Sequence, residues 1–385
     1  MRSFSNPISR IAPLQLPQLP EERSLLRSLG NVHWGLLLSA LGLYVAGVMT
    51  IKSATSELGN EYFNRQLMWG VVGLVVLAVV FAIDYRRLID LSPIFYVVTL
   101  GALVMILIFG HTAGGAKSWV GIGGFGGQPS EMAKLLMSLI LARYLAGIDK
   151  AYLDLREILI ATGLTAIPMS LVIAERDLGG AAMFLAILGA MLLVAGIRPR
   201  VIIVVAALGL MIALGAWKWG LHDYQKARIV SFVQPEADPL GSGYQVRQSK
   251  IAVGSGQWIG RGYGQGTQSQ LRFLPERHTD FIMAVLAEEW GFLGVLTIFS
   301  LYLTYFGTAA KIAMRSRDRV GILLVTGLVA VQAVHVIYNT AMVVGMLPIT
   351  GVPLPFLSYG GSFSMINFMA LGLVLNVDFR RYVNR

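Results

Sequence analysis

Several ionisable side chains of this 385-residue chain lie beside or inside its most apolar segments. The stretch FLPERHTDFIMAVLAEEWG, residues 273–291, places Asp280 just before an apolar helix and Glu288 and Glu289 within it. On an ideal helix Glu288 lies about 12 Å deeper than Asp280 and about 80° further round the axis, and Glu289 lies on nearly the opposite face. The three carboxylates therefore do not form one cluster. Asp280 is the carboxylate best placed to meet a substrate held at the boundary, or else it caps the helix, as Asp often does.

A second group of charges lies at the start of another apolar segment. In HTAGGAKSWVGIGGFGGQPSEMAKLL, residues 111–136, the glycines predict a flexible loop that carries Lys117, and the Pro-Ser pair predicts a helix start. Glu131 and Lys134 are three residues apart and are therefore neighbours on one helical face. Two interpretations stay open: an ion pair that neutralises itself at the interface, or an acid and a base that line a polar cavity.

Residues 218–280 form a long polar segment with eight Lys and Arg residues, among them Arg247, Lys250 and Arg277, and with the ionisable His278 near its end. Cations beside a membrane bind anionic lipid headgroups, and they also bind diphosphates. Composition alone does not separate general attraction to lipid from specific binding of a diphosphate. The glycine-rich sequence GQWIGRGYGQG in this segment lacks the spacing of a Walker loop.

Membrane-spanning helices must position these side chains. The chain is 55% hydrophobic and 14% charged, whereas soluble domains carry about 25% charged residues. About 20 apolar residues cross the hydrocarbon core of a bilayer, and they do so as helices because the backbone must satisfy its own hydrogen bonds there. The sequence therefore predicts an all-α polytopic membrane protein with ten transmembrane helices. The predicted spans are 33–52, 66–83, 92–110, 131–147, 157–175, 178–196, 199–217, 281–307, 320–342 and 361–379.

The distribution of positive charge predicts the topology. Outside the long segment 218–280, eighteen Lys and Arg residues lie on one side of the predicted spans and four lie in the short loops on the other side. The side with the excess faces the cytoplasm, so both termini are predicted to be cytoplasmic and the large loop between helices 7 and 8 to be extracytoplasmic. The net charge of +10 is thus a topology signal and does not indicate nucleic acid binding.

The same pattern gives the domain organisation. Residues 1–32 are a predicted cytoplasmic N-terminal tail, 33–380 a single transmembrane domain, and 381–385 a cytoplasmic C-terminal tail. The chain contains no cysteine, which excludes disulfides and thiolate metal sites.

The sequence NTAMVVGMLPITGVPLPFLSYGGS, residues 339–362, links the last two predicted spans. Its prolines and glycines predict a rigid irregular turn, which is tolerated at membrane depth only where it is buried in protein or lines a cavity. Ser358 in this turn has no evident His or Asp partner, so a serine nucleophile is not favoured. No group of histidines has metal-ligand spacing, and the sequence assigns no metal ligand.

Three motifs together resemble the SEDS family, the shape, elongation, division and sporulation proteins. They are KSWVGIGGFGGQPSEMAKL, YQVRQSKIAVGSGQWIGRGYGQGTQSQLRFLPERHTDFIMAVLAEEWG and GMLPITGVPLPFLSYGGS. The resemblance spans residues 33–380, and PERHTDF and LAEEWG are more similar to the elongation branch, RodA, than to the division branch, FtsW. One departure is Phe363, where the resemblance leads us to expect a small residue and where the packing of the last helix is altered.

The resemblance implies a peptidoglycan glycosyltransferase of the bacterial inner membrane that polymerises lipid II during cell elongation. It implies a class B penicillin-binding protein as partner within the elongation machinery, and it implies dependence on a divalent metal ion, Mg²⁺ or Mn²⁺. Asp280 matches the family's essential aspartate and is the candidate general base. Candidate substrate-binding or cavity residues are Lys117, Arg247, Lys250, Arg277 and His278, whose cations would stabilise the leaving diphosphate, and Glu131 and Lys134, which would line the cavity beside it.

Two other functions stay open at this point. A lipid II flippase, which is a transporter, also needs many helices and a hydrated cavity with buried charge, although the sequence shows no detectable inverted repeat. A scaffold that only recruits a partner synthase would leave Asp280 and Glu131 without a role.

Overall fold

The computed structural model describes residues 33–113, 116–122, 125–198 and 241–383, with single positions between 200 and 234. Its helices are α1 (Trp34–Ala54), α2 (Glu61–Ala82), α3 (Tyr85–Phe109), α4 (Pro129–Ala146), α5 (Leu155–Ala174), α6 (Leu178–Ala195), α7 (Ser242–Ser255), α8 (Thr267–Gln270), α9 (Ile282–Arg315), α10 (Arg319–Val343) and α11 (Gly361–Val383). The long helices α1–α6 and α9–α11 form a bundle, and the shorter α7 and α8 belong to the loop before α9.

Eight of these helices are long and apolar enough to cross a membrane, which confirms the all-α membrane architecture for the described residues. A ninth, α4, corresponds to the predicted span 131–147 but carries Glu131, Lys134 and Arg143 within its 18 residues. The predicted span 199–217 lies almost entirely outside the described residues, so the count of ten spans stays a prediction. Residues 1–32 also lie outside the described residues.

Burial separates the helices into inner and outer members of the bundle. In α11 the span Gly361–Arg381 is 83% buried, whereas the spans of α2 and α3 are only 22% buried. Beyond their first two turns, these outer helices expose mainly apolar side chains, for example Val71 on α2 and Val97 on α3. Apolar surface of this kind is stable against lipid hydrocarbon, so it identifies the outside of the bundle as the lipid-facing surface.

The bundle has two faces, which are named here by their residues. The Asp280 face holds the end of α1 at Ala54, the start of α9 at Ile282 and the end of α10 at Val343. The arginine face holds the start of α3 at Tyr85 and the turn between α9 and α10, residues 315–319.

The glycine-rich segment after α3 forms a small sheet instead of the predicted flexible loop. Strands β1 (His111–Ala113), β2 (Ala116–Ile122) and β3 (Phe125–Gly127) pair antiparallel in the order β1-β2-β3. Alternation of Lys, Trp and Ile with smaller residues suits an extended backbone, and the paired backbone groups replace hydrogen bonds to water. The side chain of Lys117 lies outside what the structure describes.

The helix α9 is broken at Gly291, whose φ of 64° places it in the left-handed region. The gap in the helical hydrogen bonds is filled by the glycine-rich loop 256–262. Arg261 N donates to Glu288 O at 3.0 Å, Gly262 N donates to Glu289 O at 3.0 Å, and Phe292 N donates to Gln257 O at 2.8 Å.

The glycines of this loop permit the close approach of two backbones. A Cβ atom at Gly256 would lie 1.9 Å from Ala287 O, and one at Gly260 would lie 2.1 Å from Glu289 O. Gly256 and Gly260 of GQWIGRGYGQG thus serve packing against the broken helix. The apolar residues of YQVRQSKIAVG recur at helical spacing, and this stretch lies in α7, which packs on α9 and α10.

Candidate active site

Asp280 lies half-buried in the turn that precedes α9 on the Asp280 face. The N-cap position of α9 is occupied by Phe281, so the alternative interpretation of Asp280 as the N-cap residue is not supported. Gly351 faces the Asp280 side chain: a Cβ atom at Gly351 would lie 3.5 Å from Asp280 Oδ2, and the φ of Gly351 is +72°. Glycine at this position therefore keeps the space beside the carboxylate open.

The backbone around Asp280 is fixed to helix α10 and to the turn 344–360. Asn339 Nδ2 donates to Asp280 O and to Val352 O, each at 2.7 Å. Ser358 Oγ donates to Thr279 O at 2.7 Å. The acceptors of these hydrogen bonds are backbone carbonyl oxygens. The bonds therefore fix the position of the Asp280 backbone and do not involve its carboxylate. Ser358 thus has a structural role, in agreement with the absence of a serine triad.

Arg277 and His278, both predicted as substrate-binding or cavity residues, anchor the same stretch. The buried Arg277 donates from Nε to Ala54 O at the end of α1, at 2.6 Å. The His278 ring packs edge-on against Tyr62, at 4.9 Å between ring centroids, and lies 5.5 Å from Tyr359. Burial lowers the pKa of His278, so this imidazole is neutral at pH 7. Both side chains position the polypeptide that presents Asp280.

Glu131 and Lys134 form a buried ion pair in α4, with Lys134 Nζ 2.7 Å from Glu131 Oε1. Lys134 Nζ also lies 3.3 Å from His335 Nε2. The pair lines a small cavity together with Gln332, His335, Phe363 and Asn367. The two charges therefore neutralise each other inside the bundle, beside a cavity that is otherwise lined largely by apolar residues such as Leu135 and Leu328. The interpretation that the pair lines a polar cavity stays a prediction.

One turn of α10 connects this cavity to Asp280. His335 Nδ1 lies 2.9 Å from Pro353 O, and Asn339, four residues later, donates to Val352 O and Asp280 O. Four residues rise about 6 Å along a helix. His335 and Asn339 were not identified from the sequence, because a lone polar residue in an apolar span is usually a core residue.

Glu288 and Glu289 point to different partners, as the helical angles predict. Glu288 accepts from Thr267 Oγ1 at 3.1 Å and from Gln268 N at 3.0 Å, and so binds the start of α8. Glu289 accepts from the hydroxyl of Ser53 in α1. These two acids join the long loop and α1 to α9 and take no part in the Asp280 site.

Two further acids on the Asp280 face were missed by sequence reasoning. Asp177 accepts from Gly180 N at 2.7 Å and from Gln128 Nε2 at 3.2 Å. Glu175 is fully buried, and neither carboxylate oxygen has a partner among the described residues. Burial and the neighbouring Asp177 raise the pKa of Glu175 to about 8. The signal that could have found them is the presence of two acids just before the span 178–196.

The start of α6 packs against the turn that lies beside Asp280. A Cβ atom at Gly179, two residues after the cap residue Asp177, would lie 2.6 Å from Thr350 O, and Gly351 lies beside Asp280. Gly179 and Asp280 therefore flank the segment Thr350–Gly351.

The predicted cations of the long loop lie apart from this arrangement. Arg247 is exposed on α7. Lys250 reaches over Gly345, where a Cβ atom would lie 2.1 Å from Lys250 Cε. The structure thus places Lys250 at the end of α10, near the turn that holds Asp280, and Arg247 at the surface.

Comparison with known proteins identifies the family. The family model described as "Cell cycle protein", for FtsW, RodA and SpoVE, matches residues 31–383. The chain is 38% identical to a protein of Escherichia coli K12 named peptidoglycan glycosyltransferase MrdB, over 90% of this chain and 93% of that protein. It is 32% identical to peptidoglycan glycosyltransferase RodA of Treponema pallidum, over 92% and 99%.

A solved structure supports the same assignment. The structure, from work on the coordination of polymerization and crosslinking by a peptidoglycan synthase complex, matches with a TM-score of 0.81 and 29% identity, over 91% of this chain and 98% of the solved chain. The matches favour the RodA branch over the FtsW branch. The chain belongs to the FtsW, RodA and SpoVE family of cell cycle proteins, which confirms the SEDS resemblance of its motifs.

Proposed function

We propose that the chain is a peptidoglycan glycosyltransferase that polymerises lipid II into glycan strands during cell elongation. The family membership and the names of the relatives support this activity. The observation that connects this activity with particular residues is the position of the half-buried Asp280. Asn339 fixes the Asp280 backbone at the boundary of a membrane-spanning bundle. A substrate with a polyprenyl anchor and an anionic headgroup must react at such a boundary.

In the proposed reaction Asp280 is the general base. The 4-hydroxyl of the acceptor sugar attacks the anomeric carbon of the donor, the new C–O bond forms, and the bond to the polyprenyl diphosphate breaks with inversion. The hydroxyl proton passes to the Asp280 carboxylate. Negative charge develops on the departing diphosphate and needs cations near it. Lys250, which reaches over Gly345, is one candidate, and Arg247 and Lys117 are others.

The buried pair Glu131 and Lys134 orients substrate groups or the cavity wall in this proposal. Its charges are kept in a low-dielectric interior, where an electrostatic interaction is stronger than in water. The contact of Lys134 with His335 transmits the geometry of the pair to the turn that holds Asp280.

A divalent cation is part of the proposal. Among the described residues no group of three His, Cys, Asp or Glu side chains is arranged to hold a metal ion. Mg²⁺ commonly binds through one or two carboxylates and substrate phosphates, so it does not need such a group, and the substrate diphosphate would supply part of its coordination. Such an ion would neutralise charge on the diphosphate.

The proposal includes the location and the partner. The protein would lie in the bacterial inner membrane with both termini in the cytoplasm, since the arginine face carries the excess of positive charge. Its partner would be a class B penicillin-binding protein, because the matched solved chain is part of a synthase that couples polymerization to crosslinking. The flippase and scaffold functions are not favoured, since the relatives are named as glycosyltransferases.

The test is polymerisation of purified lipid II by the wild-type protein with its cognate synthase, whose transpeptidase is blocked. The proposal expects long glycan strands on a gel, with no strands when a divalent chelator is added. No strands in a system shown to be competent with another polymerase would contradict the proposal, and movement of lipid II across vesicles by the same sample would then favour the flippase.

A further inference from the structure

A small polar pocket lies on the arginine face, opposite Asp280. The start of α3, the turn between α9 and α10, and the last turns of α11 form its walls. Four arginines line it, Arg86, Arg317, Arg380 and Arg381, with Asp318 as the only carboxylate among its lining residues. This arginine pocket takes no part in the arrangement around Asp280.

The carboxylate of Asp318 is already used within the protein. Its Oδ2 accepts from Tyr85 Oη at 2.5 Å and from Arg86 Nη2 at 3.1 Å, and its Oδ1 accepts from Gly321 N at 3.0 Å. Asp318 therefore caps α10 and holds Arg86 in the pocket wall. Among the other arginines, Arg381 pairs with the buried Asp378 at 2.9 Å and Arg380 with Asp84 at 3.4 Å, which leaves Arg317 as the pocket arginine without a carboxylate partner among the described residues.

Donors of two arginines remain available. Arg317 makes no hydrogen bond or ion pair with any part of the chain that the structure describes. Arg380 uses its terminal nitrogens on Ala82 O at 3.1 Å and Asp84 at 3.4 Å, while its buried Nε has no partner among those residues. Guanidinium groups held in a pocket with free N–H donors match the oxygen atoms of a phosphate.

The position of the pocket favours a lipid over a soluble phosphate. Ile83 precedes Tyr85 by two residues, and Met314 precedes Ser316 by two residues. Both are large apolar side chains that are exposed, Met314 to 76%. The helix ends that form the pocket therefore carry exposed apolar side chains two residues from its lining residues, and a phospholipid offers both a phosphate for the arginines and acyl chains for such side chains.

We propose that the arginine pocket binds an anionic phospholipid through its phosphate and so links α3, α11 and the turn between α9 and α10. Basic pockets between transmembrane helices are typical sites for anionic headgroups. The bound lipid would join three helix ends on the face opposite the reaction. The proposal does not depend on the chemistry assigned to Asp280.

The test uses the purified full-length protein in detergent, titrated with phosphatidylglycerol or phosphatidylcholine and followed by native mass spectrometry. We expect retained phosphatidylglycerol and little retained phosphatidylcholine. Arg317→Gln should weaken phosphatidylglycerol binding about five-fold, the effect of one cation near an anionic lipid. Arg87→Gln is the matched control, because Arg87 is an exposed arginine next to Arg86 that does not line the pocket.

Three outcomes would overturn the proposal. Equal weakening by Arg317→Gln and Arg87→Gln would show general surface attraction. Unchanged binding in Arg317→Gln would remove the pocket from the interaction. Displacement of phosphatidylglycerol by millimolar inorganic phosphate, with equal thermal stabilisation by phosphate alone, would assign the pocket to a soluble phosphate instead of a lipid.

Discussion

At the scale of single residues, the site is built from charges that the surrounding backbone fixes or isolates. Asp280 keeps its carboxylate at a half-buried boundary while Asn339 binds its carbonyl oxygen. Glu131 and Lys134 are buried as a pair, and Glu175 is buried without a partner among the described residues. The free-energy cost of burial differs between the charged Glu131–Lys134 pair and the protonated Glu175. Substitutions can therefore separate the contributions of these residues.

Removing one member of the buried pair should destabilise the protein strongly. Lys134→Met leaves the Glu131 carboxylate buried and uncompensated, a change that costs about 3–5 kcal/mol, whereas the double variant Glu131→Gln/Lys134→Met should recover most of that loss. Lys150→Met, which removes the exposed ion pairs with Asp154 and Glu157, should cost far less, because solvent screens exposed pairs. Thermal unfolding in detergent measures all three. Equal losses in Lys134→Met and Lys150→Met would contradict the burial argument.

Glu175 should make the stability of the protein fall as the pH rises. Its pKa in the folded state, about 8, is above the ordinary value of 4.5, so the folded protein keeps a proton that the unfolded chain releases. Stability is therefore lost between about pH 4.5 and pH 8, by at most about 1.4 kcal/mol per pH unit. Glu175→Gln should remove this slope, and the exposed Glu61→Gln should keep it. Parallel curves for wild type and Glu175→Gln would refute the assignment.

At the scale of elements, helices α9 and α10 position the residues of the site. Helix α9 breaks at Gly291 and receives the loop 256–262 along its broken edge. Helix α10 contacts the buried charge pair through His335 and the Asp280 turn through Asn339. The packing of the loop on α9 and the contacts made by α10 each depend on one or two positions where another residue would not fit.

The loop against α9 should be intolerant of a single methyl group at Gly260. A Cβ atom there would lie 2.1 Å from Glu289 O at a φ of +79°, so Gly260→Ala should cost about 3 kcal/mol or more through overpacking and backbone strain. Gly264 has a similar φ of +73° but no atom within 4 Å of the Cβ position. Gly264→Ala should therefore cost about 1 kcal/mol. Similar melting temperatures for the two variants would disprove the close approach.

Asn339 should act as a positioning residue for the proposed reaction. Asn339→Ala removes both hydrogen bonds to Asp280 O and Val352 O, and the misplaced carboxylate should lower kcat about 10-fold or more while KM stays unchanged. Thr340→Val is the neighbouring control, because Thr340 Oγ1 has no partner among the described residues. Steady-state polymerisation kinetics provide the measurement. A rise in KM without a loss of kcat would assign Asn339 to substrate binding instead.

At the scale of the whole molecule, two faces have separate chemistry. The Asp280 face carries the irregular turns and the carboxylate of the proposed site, and the other face carries the arginine pocket. The lipid-facing surface between them is apolar, as on α2 and α3. This separation is what a membrane enzyme needs if its lipid-linked substrate reacts at one interface.

Much of this arrangement could be predicted from the sequence, since long uncharged segments leave helices as the only stable form in lipid. The separation of Glu288 and Glu289 from Asp280 followed from helical geometry. The small sheet after α3 and the break at Gly291 could not be predicted, because they depend on contacts between backbones far apart in the chain. His335 and Asn339 could not be identified from the sequence, because their roles depend on contacts with residues of other elements.

The most direct test of the account is a single-turnover measurement on Asp280→Asn. Asn keeps the shape of the side chain but does not accept a proton at neutral pH. The account predicts that the dissociation constant for lipid II is unchanged, while the rate of glycosidic bond formation falls by about 10²–10⁴. A wild-type rate in Asp280→Asn, with substrate binding intact, would show that Asp280 is not the base and contradict the central claim.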